Sequence, residues 1–85
     1  MTNTEIPPRL RWQCRRGMLE LDVLLGKFLD TGYLKLSAAD QELFEKLLAC
    51  SDQDLFMWLT GKERPGDSDL LMMVDKVREN ARSQR

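Results

Sequence analysis

The sequence predicts an all-α protein, a compact antiparallel bundle of five short helices. Three observations carry that reading. Apolar residues recur at helical spacing along most of the chain. No stretch alternates every second residue with enrichment in Val, Ile or Thr, as a half-buried strand does. Residues that start and stop helices fall between the apolar runs at short intervals. A chain of 85 residues leaves no room for a second core, so residues 1–85 are one domain, with 1–6 and 82–85 expected to fray.

Pro7-Pro8 can open the first helix, because proline suits the first helical position. It carries Leu10 and Trp12 and ends near Arg16-Gly17. The second runs from about Met18 to Leu29, with Leu21, Leu24, Leu25 and Phe28 on one apolar face and Gly32 as its stop. Gly26 is a weak point inside it, where another helix is expected to cross closely. Ser37 starts the third helix, whose buried stripe is Leu43, Phe44, Leu47 and Leu48; Ser51 repeats the signal for the fourth. That helix carries Leu55, Phe56, Trp58 and Leu59 and stops at Gly61. Lys62–Gly66 is a loop, and Asp67 or Ser68 caps the fifth helix, which buries Leu70, Met73, Val74, Val77 and Ala81.

Composition narrows function. The chain is 42% hydrophobic and 32% charged, an ordinary globular balance. No apolar run approaches the roughly 20 residues that span a bilayer, and the polar start lacks a secretory signal, so a cytoplasmic protein without membrane insertion is expected. Cys14 and Cys50 are expected to be free thiols, and without any histidine they make no structural zinc site. The same absence removes the commonest general base, so an enzyme is not expected.

The net charge of −1 is unevenly spread. Residues 1–17 hold Arg9, Arg11, Arg15 and Arg16 against Glu5. Residues 18–56 hold three lysines against eight carboxylates. A basic start facing an acidic middle suits oriented docking on a protein, and the sequence pI of about 5.4 argues against nucleic acid.

The most informative stretch is Arg16-Gly17-Met18-Leu19-Glu20 at the junction of the first two helices. Spacing alone allows a local Arg16–Glu20 pair of about 0.2–0.5 kcal/mol if the helix is continuous, which Gly17 opposes. Phe56-Met57-Trp58-Leu59 is a second informative run. One helix cannot turn four successive large apolar residues inward, so Met57 or Trp58 is expected to be partly exposed. Cys14 beside Arg15 and Arg16 has neighbours that lower a thiol pKa, but a structural thiol is the better reading.

The run Trp12-Gln13-Cys14-Arg15-Arg16-Gly17-Met18-Leu19-Glu20-Leu21-Asp22 resembles the signature of the succinate dehydrogenase assembly factor family, bacterial SdhE proteins and their mitochondrial relatives. Asp52-Gln53-Asp54-Leu55-Phe56-Met57-Trp58-Leu59 and Leu71-Met72-Met73-Val74 agree in order and spacing. The resemblance implies a non-enzymatic five-helix assembly factor, monomeric when free. It would hold no cofactor stably and would promote covalent FAD attachment to the flavoprotein subunit of succinate dehydrogenase, and of fumarate reductase. The family's Arg-Gly-any-any-Glu surface maps onto Arg16, Gly17 and Glu20. Arg16 and Glu20 are expected to supply charged contacts, and Gly17 close backbone approach. Trp12, Arg15, Asp54 and Trp58 complete the expected partner-binding set. The alternative is an antitoxin-type regulatory protein that binds a different protein partner.

Overall fold

Proline, serine and aspartate set where the helices begin. The computed structural model describes residues 6–83, and among them lie five α-helices and one short 3₁₀ turn, with no strand. Helix α1 spans Pro8–Cys14 with proline in its first turn. Helix α2 spans Leu19–Thr31, and the 3₁₀ turn follows at Tyr33–Lys35. Helix α3 spans Ala38–Leu48, α4 Asp52–Leu59 and α5 Ser68–Ser83.

Three caps work as the side chains predict. Ser37 Oγ accepts from the Asp40 amide at 3.2 Å, and Ser51 Oγ from the Asp54 amide at 3.1 Å. Of the two candidates before α5, Asp67 is the cap, accepting from the amides of Asp69 at 2.8 Å and Leu70 at 3.3 Å. Those two bonds favour the ionised form, so the Asp67 carboxyl sits below the usual range.

The core is one cluster built from all five helices. Phe44 is fully buried at its centre, with Phe28 at 5.2 Å and Tyr33 at 5.6 Å between ring centroids. Helix α5 lies against α2 and α3 through Leu70, Met73, Val74 and Val77. Leu55 and Leu59 are buried on α4, while Phe56, Met57 and Trp58 are half-buried, as a single helical face requires. Ile6 packs on the core and α5 is helical to Ser83; residues 1–5 and 84–85 of the expected frayed ends lie outside the described residues.

Gly32 ends α2 by proximity rather than by a left-handed backbone. Its φ is −120°, and a Cβ there would stand 2.7 Å from the Phe28 ring. Gly26 departs from expectation. A Cβ there would meet nothing within 4 Å among the described residues, so no helix presses closely on it.

Candidate functional site

The sequence places its densest chemistry at the α1–α2 junction, and the structure makes an elbow there. Helix α1 stops at Cys14, earlier than the pattern suggests, and Arg15 is extended. Gly17 then takes φ +82°, in the left-handed region that costs other residues roughly 1–2 kcal/mol. Met18, at the N-cap of α2, offers no capping side chain. Asp22, in the first turns of α2, instead ties the elbow back to the helix by accepting from the Arg16 amide at 2.6 Å.

Arg16 organises the elbow from within. Its side chain is only 15% exposed. Nε donates to Asp52 Oδ1 at 2.7 Å, Nη1 to the carbonyls of Gln13 and Leu48 at 2.9 Å each, and Nη2 to the Cys50 carbonyl at 2.8 Å. Gln13 lies in the last turn of α1 and Leu48 ends α3, so the guanidinium occupies carbonyls that helix ends leave unpaired. One planar, five-donor group thereby ties the α1–α2 elbow to the α3–α4 elbow, which a lysine ammonium does not match. The expected charged contact from Arg16 is thus already committed to internal acceptors in the free chain. The local Arg16–Glu20 pair is not formed, because Asp52 takes the guanidinium instead.

The same logic recasts the basic start of the chain. Arg9 pairs with Glu45 at 3.0 Å and Arg11 with Asp30 at 2.6 Å. Three of the four N-terminal arginines are therefore matched by carboxylates from the acidic middle. Among the described residues, Arg15 alone of the four has no ion pair, and it is exposed. Glu20 is exposed on the first turn of α2, also without an ion pair among the described residues. Gly17 is exposed, and none of the described residues lies within 4 Å of where a Cβ would point.

Apolar groups surround these charges. Trp12 is 76% exposed, Leu19 79% and Val23 49%, and they are three of the five large apolar side chains exposed among the described residues. Leu19 and Val23 stand one turn apart on α2, off its buried stripe. Sequence reading missed both, though their spacing outside that stripe was visible. Between α1 and α2 runs a groove of about 400 Å³. Asp54 is exposed in the first turn of α4, two residues after Asp52, which the Arg16 guanidinium reaches. Trp58 lies further along α4, half-buried against the core and away from the α1–α2 groove lining.

No group of three or more His, Cys, Asp or Glu among the described residues is placed to hold a metal. No helix among them is long and apolar enough to cross a membrane. Cys14, at the inner side of the elbow, is 3% exposed, and its thiol points at the Leu25 carbonyl at 3.9 Å. Burial pushes its pKa up to about 11, overriding the opposing pull of Arg11 and Arg16.

An exposed glycine, a cation and a carboxylate without ion pairs among the described residues, and exposed apolar side chains thus share one end of the molecule, a mixture common at protein interfaces. Comparison with known proteins gives the family. Residues 8–81 match the Sdh5 family model, described as flavinator of succinate dehydrogenase, and the chain belongs to that family. It is 52% identical over 73 residues to the FAD assembly factor SdhE of Shewanella oneidensis, covering 86% of this chain and 89% of that protein. The FAD assembly factor SdhE of Pseudomonas aeruginosa is 52% identical over 69 residues, 81% of this chain and 82% of the relative. That of Aliivibrio fischeri is 44% identical over 80 residues, 94% and 93% of the two chains.

Proposed function

We propose that this chain binds the flavoprotein subunit of succinate dehydrogenase and promotes covalent attachment of its FAD, with fumarate reductase as a second client. The observation that carries this reading is the exposed Gly17–Glu20 surface in a chain of this family. The family resemblance supplies the client; the geometry supports how the chain would grip it. Gly17 offers backbone with no side chain in the way, Glu20 and Arg15 offer charges without an ion pair among the described residues, and Trp12 with Leu19 offers apolar area. Arg16 holds this surface in shape by binding both elbows at once.

A rigid surface of this kind favours one conformer of a client whose flavin site is still loose. Orienting the flavin against the residue it joins lowers the barrier without a catalytic group on the assembly factor, and good orientation is worth several kcal/mol. The test is co-expression with a succinate dehydrogenase flavoprotein subunit in a host lacking its own factor, followed by flavin fluorescence of the denatured subunit in a gel. Covalent flavin should depend on this chain. Equal fluorescence with and without it refutes the proposal.

A further inference from the structure

Gly26 sits in the middle of α2, where glycine is the least favourable residue after proline. Nothing among the described residues requires it. Its backbone is helical, and a Cβ would meet nothing within 4 Å among the described residues. It lines the groove between α1 and α2, with Trp12, Arg15, Val23 and Leu29 around it. Leu19, Val23 and Gly26 follow one row along α2, at i, i+4 and i+7, so the groove continues directly from the Gly17–Glu20 surface.

We propose that this groove is a cleft in which the flavoprotein client seats an apolar side chain, with a client carboxylate on Arg15 at the rim. The inference rests on the function proposed above and extends its contact surface beyond the Arg16–Glu20 motif. Three features favour a client over solvent. The groove is continuous with the proposed interface. Its walls carry two of the most exposed large apolar side chains, Trp12 and Val23. Its rim charges are asymmetric: Arg11 is matched by Asp30 and Asp22 is taken by the Arg16 amide, whereas Arg15 has no ion pair among the described residues. A missing side chain at position 26 deepens the cleft where a client side chain would enter.

Gly26→Leu fills the cleft with a strong helix former, so blocking and folding move in opposite directions. Its melting temperature should stay level or rise, while affinity for the purified flavoprotein subunit carrying non-covalent FAD falls at least tenfold. Covalent flavin at limiting factor should fall in step. Gly26→Ala should bind within about threefold of wild type. A p-benzoylphenylalanine cross-linker at Val23 adds a readout independent of the Gly26 variants and should capture the purified subunit. Wild-type affinity in a folded Gly26→Leu chain, or no capture from Val23 while wild-type binding is measurable, overturns the cleft and leaves the proposed function standing. A wild-type chain that does not bind the subunit at all removes both. Self-association of the free chain that Gly26→Leu abolishes puts a second copy in the cleft and overturns the client assignment.

Discussion

Gly17 and Gly61 share a φ of +82° and are both exposed, but differ in what lies where a side chain would point. Gly61 follows α4, where the Lys62 amide donates to the Met57 carbonyl at 2.9 Å and the Gly61 amide to Trp58 at 3.2 Å. That is the double-bonded helix stop glycine is suited to. Gly61 is exposed, but a Cβ on it would lie 2.9 Å from Nη2 of the Arg78 side chain on α5. Gly17 also turns the chain, but a Cβ on it would meet nothing within 4 Å among the described residues, and the arginine beside it is drawn inward. One glycine serves only the fold. The other serves the fold and leaves open space where a side chain would stand, which is the difference the proposed docking role of the elbow rests on.

The largest expected effect comes from Arg16, because it acts on both elbows. Arg16→Ala leaves the carbonyls of Leu48 and Cys50 and the Asp52 carboxylate without their donor. Unfolding free energy should drop by about 2–3 kcal/mol. Amide exchange should speed up at the Arg16–Asp22 elbow and at Ser51–Asp54 together, and client binding should weaken with it. If binding is lost while exchange at both elbows keeps its wild-type rate, Arg16 is a direct contact and not a brace.

The next pair of substitutions tests the glycine comparison itself. Gly17→Ala and Gly61→Ala should each cost about 1–2 kcal/mol, since both force a Cβ into the left-handed region. Only the elbow variants should affect the client. Gly17→Arg should keep the helical circular dichroism of the free chain and abolish binding, whereas Gly61→Ala should bind normally. Equal binding loss at both positions would mean that stability alone explains the effect.

Glu20→Ala should change stability by less than about 0.5 kcal/mol, because the carboxylate is exposed and makes no ion pair among the described residues. Covalent flavin should nevertheless form more slowly, by roughly tenfold if one charge-assisted contact is lost. A wild-type yield at limiting factor removes Glu20 from the interface.

Much of this contrast is local and therefore legible in the chain. Helix identity follows from apolar spacing, and Ser37, Ser51 and Asp67 mark three starts because a cap needs only its own first turn. The Arg16-Gly17-Met18-Leu19-Glu20 run is visible as a junction for the same reason. What stays hidden is long-range. Arg9 finds Glu45 and Arg16 finds Asp52, each 36 residues away, so a charge asymmetry that reads as a docking patch is largely matched within the fold. Gly26 misleads for the opposite reason: the sequence shows a missing side chain but not that the described residues leave the space beside it open.

The smallest effect is chemical and reports on the elbow from its inner side. Cys14 closes α1 with a thiol that burial holds near pKa 11, whereas Cys50, at the other elbow, is half-exposed. The folded pKa lies above the reference value of 9.0, so the neutral thiol's contribution to stability is complete below about pH 9. It is lost as pH rises from there toward 11. Wild type should therefore lose more melting temperature than Cys14→Ala over that window, and the two should run parallel from pH 6 to 8. At pH 8 iodoacetamide should modify Cys50 before Cys14, since thiolate fraction and access both limit the buried group. Opening the elbow with Arg16→Ala should raise the Cys14 rate, while Gly61→Ala should not. Equal Cys14 rates in these two variants would show that the brace does not keep the inner side of the elbow closed.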